Sequence, residues 1–133
     1  MAYLELYVAI CKVRCAGDAR HWLLIVAYPG EEHGTWYHVT GGPTHDKDYK
    51  LEIQTKRVDN HKIESYYKVG NLQEVDVKKL KASAQSITPK FCQRWIVDVL
   101  KDLERKSLVS SGTSDAWYQK MEVDPYSHDG ASS

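Results

Sequence analysis

The chain has 133 residues, enough for one domain with a core that needs no staples. Apolar residues make up 42% and charged residues 27%, as in ordinary globular proteins, and the 18 basic side chains balance the 18 acidic ones. That balance, with both signs mixed along the chain, gives no electrostatic footing for nucleic acid or an anionic membrane. Three cysteines without dense spacing argue against a disulfide framework. The N-terminus lacks a basic start and a long apolar run, so no signal peptide is expected, and no stretch is apolar enough for a membrane anchor. Free thiols in a reducing, cytoplasmic setting follow as the expectation.

Residues 3–14 (YLELYVAICKVR) predict a strand, 15–20 a loop, and 21–28 (HWLLIVAY) a strand apolar enough to be buried on both faces. Pro29-Gly30-Glu31-Glu32 reads as a turn, and 35–40 (TWYHVT) as a strand pairing back on its predecessor. With a four-residue turn at 29–32, His38 opposes Leu23 and lies diagonal to His21 on the same face. Gly41-Gly42-Pro43-Thr44 breaks the pattern. Residues 49–58 alternate with period two, and 63–69 form another strand. A thin apolar stripe (Val77, Leu80, Ala84) predicts a helix from about Glu74 or Asp76 to Gln85. The strongest helical pattern covers 89–106, with Cys92, Ile96, Val99 and Leu103 on one stripe. Thr88 is the expected N-cap and Pro89 the first helical residue. The expected organisation is a single domain over 1–110 and a polar, partly flexible tail over 111–133 on which Trp117 and Tyr118 could dock. The fold class is α+β: a small antiparallel sheet with packed helices.

Cys92 in the first turn of its helix would feel the positive end of the helix dipole, which favours a thiolate. Lowering a thiol pKa by two units takes roughly 2.7 kcal/mol, more than the ~0.3–1 kcal/mol a helix end supplies, so a histidine partner is needed. His21, opening the second strand, is the candidate base. Taken singly, each residue reads better as part of a core: a stripe cysteine packs, and a strand-end histidine finds a local partner. The remaining histidines (His33, His45, His61, His128) fall in predicted turns, loops or the tail, and Cys11 and Cys15 have no matching ligands downstream, so no metal site is expected.

The segment RHWLLIVAYPGEEHGTWYHVTGGP (20–43) resembles the strand pair of the lecithin:retinol acyltransferase-like and NlpC-type thiol hydrolases, and FCQRWIVDVLKDLERKSLV (91–109) resembles their cysteine helix and that of the PPPDE-type peptidases. The order His, His, Cys is that of the circularly permuted papain-like fold. The resemblance implies an NlpC-like architecture with Cys92 as nucleophile, His21 as general base and His38 as the group orienting it. It implies a thioester-forming hydrolase or acyltransferase that needs no cofactor and acts on a small-molecule or peptide acyl substrate. Trp22, Trp36, Thr40 and Gln93 are the candidates to touch that substrate. Phe91 before Cys92 and Gln93-Arg94-Trp95 after it differ from the Asn and Glu-His-Phe of the acyltransferase-like members. A non-catalytic relative serving as a binding module is therefore the competing reading, and a redox-sensing thiol at Cys92 a third.

Overall fold

A computed structural model of the chain describes residues 3–12, 19–42 and 47–122. Most of the expected 15–20 loop, Pro43 and Thr44, the residues Cys15, His45 and His128, and the tail past 122 lie outside them.

Five strands form one antiparallel sheet: β1 (Tyr3–Cys11), β2 (Trp22–Ala27), β3 (His33–Gly42), β4 (Lys47–Arg57) and β5 (Ile63–Gln73). Their order is β4-β3-β2-β1-β5, so the first four make a meander and β5 returns along β1. A 3-10 turn (Glu74–Asp76) leads into α1 (Val77–Ser86), followed by α2 (Cys92–Arg105) and α3 (Thr113–Tyr118). The α+β class with an antiparallel sheet is as expected.

The β2–β3 connection shows how local chemistry sets the register. Tyr28 O accepts from Glu31 N–H, with Pro29 and Gly30 between. Gly30 has φ +80°, a conformation that suits glycine, as the third residue of a type II turn requires. The strands then pair Leu24 with Tyr37, Ile25 with Trp36 and Val26 with Thr35. One step further places His38 opposite Leu23, as the four-residue turn predicts.

Strand alternation divides the core. Leu4, Leu6, Val8, Trp22, Leu24, Val26, Tyr37, Val39 and Leu72 face the helices and pack with Leu80, Trp95, Ile96, Val99, Leu100 and Leu103. Ala9, Leu23, Ile25, Trp36 and Ile63 form a smaller cluster on the other face. All six residues of β2 are buried, which is why its run is apolar without alternation. His33 opens β3 as an exposed strand residue rather than lying in a turn.

Two expectations need correction. The strong helix starts at Cys92, not at Pro89. Residues 88–90 have no helical structure, Phe91 is non-helical at ψ 126°, and the first helical bond runs from Trp95 N–H to Phe91 O. Thr88 is therefore not its cap. Lys90 instead reaches forward to Asp98, 2.6 Å away, and closes over the first turns from outside. The polar tail also begins as structure. Trp117 in α3 is buried edge-on against Trp22 and Tyr67, with ring centroids 5.2 and 5.4 Å apart, so the folded unit runs past 110.

Among the described residues no helix is long and apolar enough to cross a membrane, and no cluster of three metal-ligating side chains occurs.

Candidate active site

The end of the sheet where β1 finishes and β2 begins meets the N-terminus of α2. Cys11 N–H donates to His21 O there, 2.8 Å away, which fixes the backbone just ahead of β2. The Cys92 thiol approaches Arg20 O at 3.9 Å, while the N–H of Trp22 points at the same sulfur. Cys92 thus lies against the backbone on both sides of His21.

The His21 ring meets His38. His21 Nε2 and His38 Nδ1 are 3.1 Å apart, and His38 Nε2 lies 3.0 Å from Gln54 Oε1. The chain of bonds assigns the protons. Gln54 Oε1 can only accept, so His38 Nε2 carries hydrogen. Burial, at 8% exposure, pushes the His38 pKa below its ordinary value, outweighing the Gln54 hydrogen bond, so the ring stays neutral near pH 7. A neutral His38 accepts at Nδ1 from His21 Nε2–H.

The expected pairing of His21 with His38 is therefore present, and Gln54 is a member that sequence reading did not single out. Gln54 opposes Trp36 in the β3–β4 register, two pairs along from His38, and so shares its face. That register was the signal that could have found it.

The thiol does not meet expectation. Its position as first helical residue brings the N–H groups of Cys92 and Gln93 to the sulfur along with that of Trp22, and all three favour thiolate. Desolvation outweighs them, aided by the nearby Cys11, and the Cys92 pKa is pushed up to about 11 rather than down. At neutral pH the sulfur is a thiol.

The candidates for substrate contact are also corrected. Trp22 and Trp36 are 2% and 3% exposed and belong to the two cores. Gln93 is fully buried, with its amide engaged by Arg20 O and Glu122. Only Thr40 keeps an accessible side chain, its hydroxyl 3.5 Å from Lys50 O. The large open groove, about 840 Å³, lies elsewhere, lined by Ile87, Thr88, Lys90, Lys101 and Arg105 on the outer side of α2. Among its charges Lys90 pairs with Asp98 and Arg105 with Asp102.

A protein-family profile described as "Family of unknown function (DUF6540)" matches residues 6–110. The chain belongs to the DUF6540 family. That span holds every member of the Cys92, His21, His38 and Gln54 arrangement, so the arrangement lies within the family domain, while α3 of this DUF6540 protein lies beyond it. No curated protein and no solved structure matches the chain.

Proposed function

We propose that this DUF6540 protein is a thiol acyl-enzyme, a hydrolase or acyltransferase of permuted papain-like architecture. In it Cys92 attacks an acyl carbon, His21 takes the proton, and His38 with Gln54 holds the base. The observation that supports this most directly is the hydrogen-bonded series His21–His38–Gln54, with the Cys92 sulfur against the backbone on both flanks of the same His21.

A thiol pKa pushed up to about 11 specifies how the chemistry would run. A resting thiolate–imidazolium pair is disfavoured. The proton instead passes from Cys92 Sγ to His21 Nδ1 as the sulfur–carbon bond forms, as in general-base activation of a hydroxyl. His21 then returns that proton to the leaving group, giving a thioester. Water or another acceptor, deprotonated by the same nitrogen, then attacks the thioester carbon; the carbon–sulfur bond breaks and the proton returns to the Cys92 sulfur as the acyl product leaves. The α2 N-terminus supplies N–H groups without intrahelical acceptors at Cys92 and Gln93, the natural holders of an oxyanion. The raised thiol pKa also favours one alternative, a relative that keeps the fold for binding alone.

An activated ester separates the two. With p-nitrophenyl acetate at pH 7.5, the acetyl group should appear on Cys92 by peptide mass spectrometry, and His21→Ala should slow its arrival by about 10²-fold or more. Equal slow acetylation of Cys11, Cys15 and Cys92, unchanged in His21→Ala, would leave only the binding reading.

A further inference from the structure

The backbone that carries His21 is held by a group from outside the family span. Gln93 is fully buried directly after the candidate nucleophile. Its Nε2 donates to Arg20 O at 2.9 Å and to Glu122 Oε1 at 3.0 Å, and its Oε1 accepts from Glu122 N–H at 2.6 Å. Glu122 Oε1 also accepts from Arg20 N–H at 2.9 Å. Both backbone groups of Arg20 are thereby tied, one by Glu122 and one by Gln93, immediately before His21. Arg20 O also faces the Cys92 thiol, 3.9 Å away.

We propose that Glu122 is a positioning residue of the Cys92–His21 site, acting through Gln93 and the Arg20 backbone and supplied by a segment beyond the DUF6540 span. The segment reaches this place because α3 anchors just before it. Trp117 is seated on Trp22, the residue after His21, and Met121 packs on the same core. The arrangement makes a C-terminal strap part of a site whose chemistry lies on the family domain. Glu122 acts through its hydrogen bonds to Gln93 and Arg20, and a carboxylate is not required for that role. One oxygen, Oε1, receives both bonds, so a neutral amide oxygen can replace it. A buried glutamine with three well-formed bonds has nothing left to offer a substrate, which accounts for its place in the clamp rather than in the cleft.

This inference rests on the acyl-enzyme reading, and two measurements on the full chain keep the two apart. The first is the pH dependence of Cys92 acetylation by p-nitrophenyl acetate. Wild type should level off once the histidine base is neutral. Glu122→Ala should be slower by roughly 10- to 100-fold at pH 7.5 and should climb with pH like an isolated thiol, while Glu122→Gln stays within about threefold of wild type. An unfolded fraction would itself react like an isolated thiol, so the folded fraction of each variant is read from its urea curve at the same pH and the unfolded contribution subtracted. A wild-type shape in Glu122→Ala, merely scaled by the folded fraction, would overturn the positioning role.

The second measurement is the pH dependence of iodoacetamide alkylation at the Cys92 peptide, which needs no catalysis. Releasing the clamp should bring the midpoint down from about 11 towards 9.0 in Glu122→Ala, because the sulfur gains water, and leave it in place in Glu122→Gln. If Cys92 takes no acetyl group even in wild type, the catalytic reading fails and this midpoint alone decides. A Glu122→Ala midpoint that stays at about 11 means Glu122 does not position the site.

Discussion

Two groups at the candidate site keep their neutral forms because they are desolvated, and they bracket the pH range of stability from opposite sides. His38 is depressed below its ordinary 6.5. The unfolded chain therefore takes up a proton there first, and stability present above pH 6.5 is lost as pH falls below it. Cys92 is raised from 9.0 to about 11. The stability it allows is fully present below pH 9 and is lost between 9 and 11, by roughly 3 kcal/mol for two units. Urea midpoints measured from pH 5 to 10.5 should thus be highest between about 6.5 and 9. Cys92→Ala should flatten the alkaline fall and His38→Gln the acid one. An alkaline fall equally steep in Cys92→Ala would mean that the thiol is not desolvated. The two histidines were legible in the sequence because a hairpin brings diagonal residues to one face. Gln54 was not, since β4 alternates polar residues along its outer positions (Lys50, Glu52, Gln54, Lys56) and only the register to β3 distinguishes one of them. Glu122 was further out of reach, 29 residues from Gln93 and 102 from Arg20, with no periodicity linking them.

At the level of elements, the strands were readable because each has its own cause: alternation in β4, two-sided burial in β2, and a Pro-Gly turn that sets the pairing of β2 with β3. The helix ends were less so, because their determinants are tertiary. Pro89 reads as a helix start, yet residues 88–90 have no helical structure and the helix begins after Phe91. The short α3 (TSDAWY) carries only two large apolar residues, and its Ser114 N–H is held by the Glu104 carboxylate from α2 rather than by a local cap. The C-terminus of α2 makes a prediction of its own. Ser107 N–H donates to Glu104 O and Leu108 N–H to Leu103 O, the two bonds of a Schellman cap, and Ser107 takes φ +62° to make them. A side chain is strained there and glycine is not, so Ser107→Gly should stabilise the protein by about 0.5–1 kcal/mol despite its greater freedom when unfolded. Thermal unfolding of the two proteins checks the sign. A loss of stability would mean that the unfolded-state entropy of glycine dominates.

On the scale of the whole molecule, the question is whether the segment after residue 110 is an appendage or part of one cooperative fold. The family span ends at 110, and composition there turns polar, which suggests an appendage. Packing says otherwise. Trp117 is 5% exposed, meets Trp22 from β2 and Tyr67 from β5, and so joins two strands to α3. The ammonium of Lys120 sits 4.9 and 5.1 Å from the Tyr67 and Trp117 rings and covers the contact from outside. Removing an indole from such a place costs about 3–5 kcal/mol, a large share of the ~5–15 kcal/mol that holds a domain of this size together. Trp117→Ala should therefore lower the global unfolding free energy by that amount in a single transition, and amide exchange in β2 should accelerate together with exchange in α3. For an appendage, the loss would stay below about 1 kcal/mol, the size of an ordinary surface change, and exchange would quicken in α3 alone. Because Trp22 follows His21 directly, the cooperative outcome also means that anything loosening α3 reaches the candidate base through the core as well as through the Glu122 clamp.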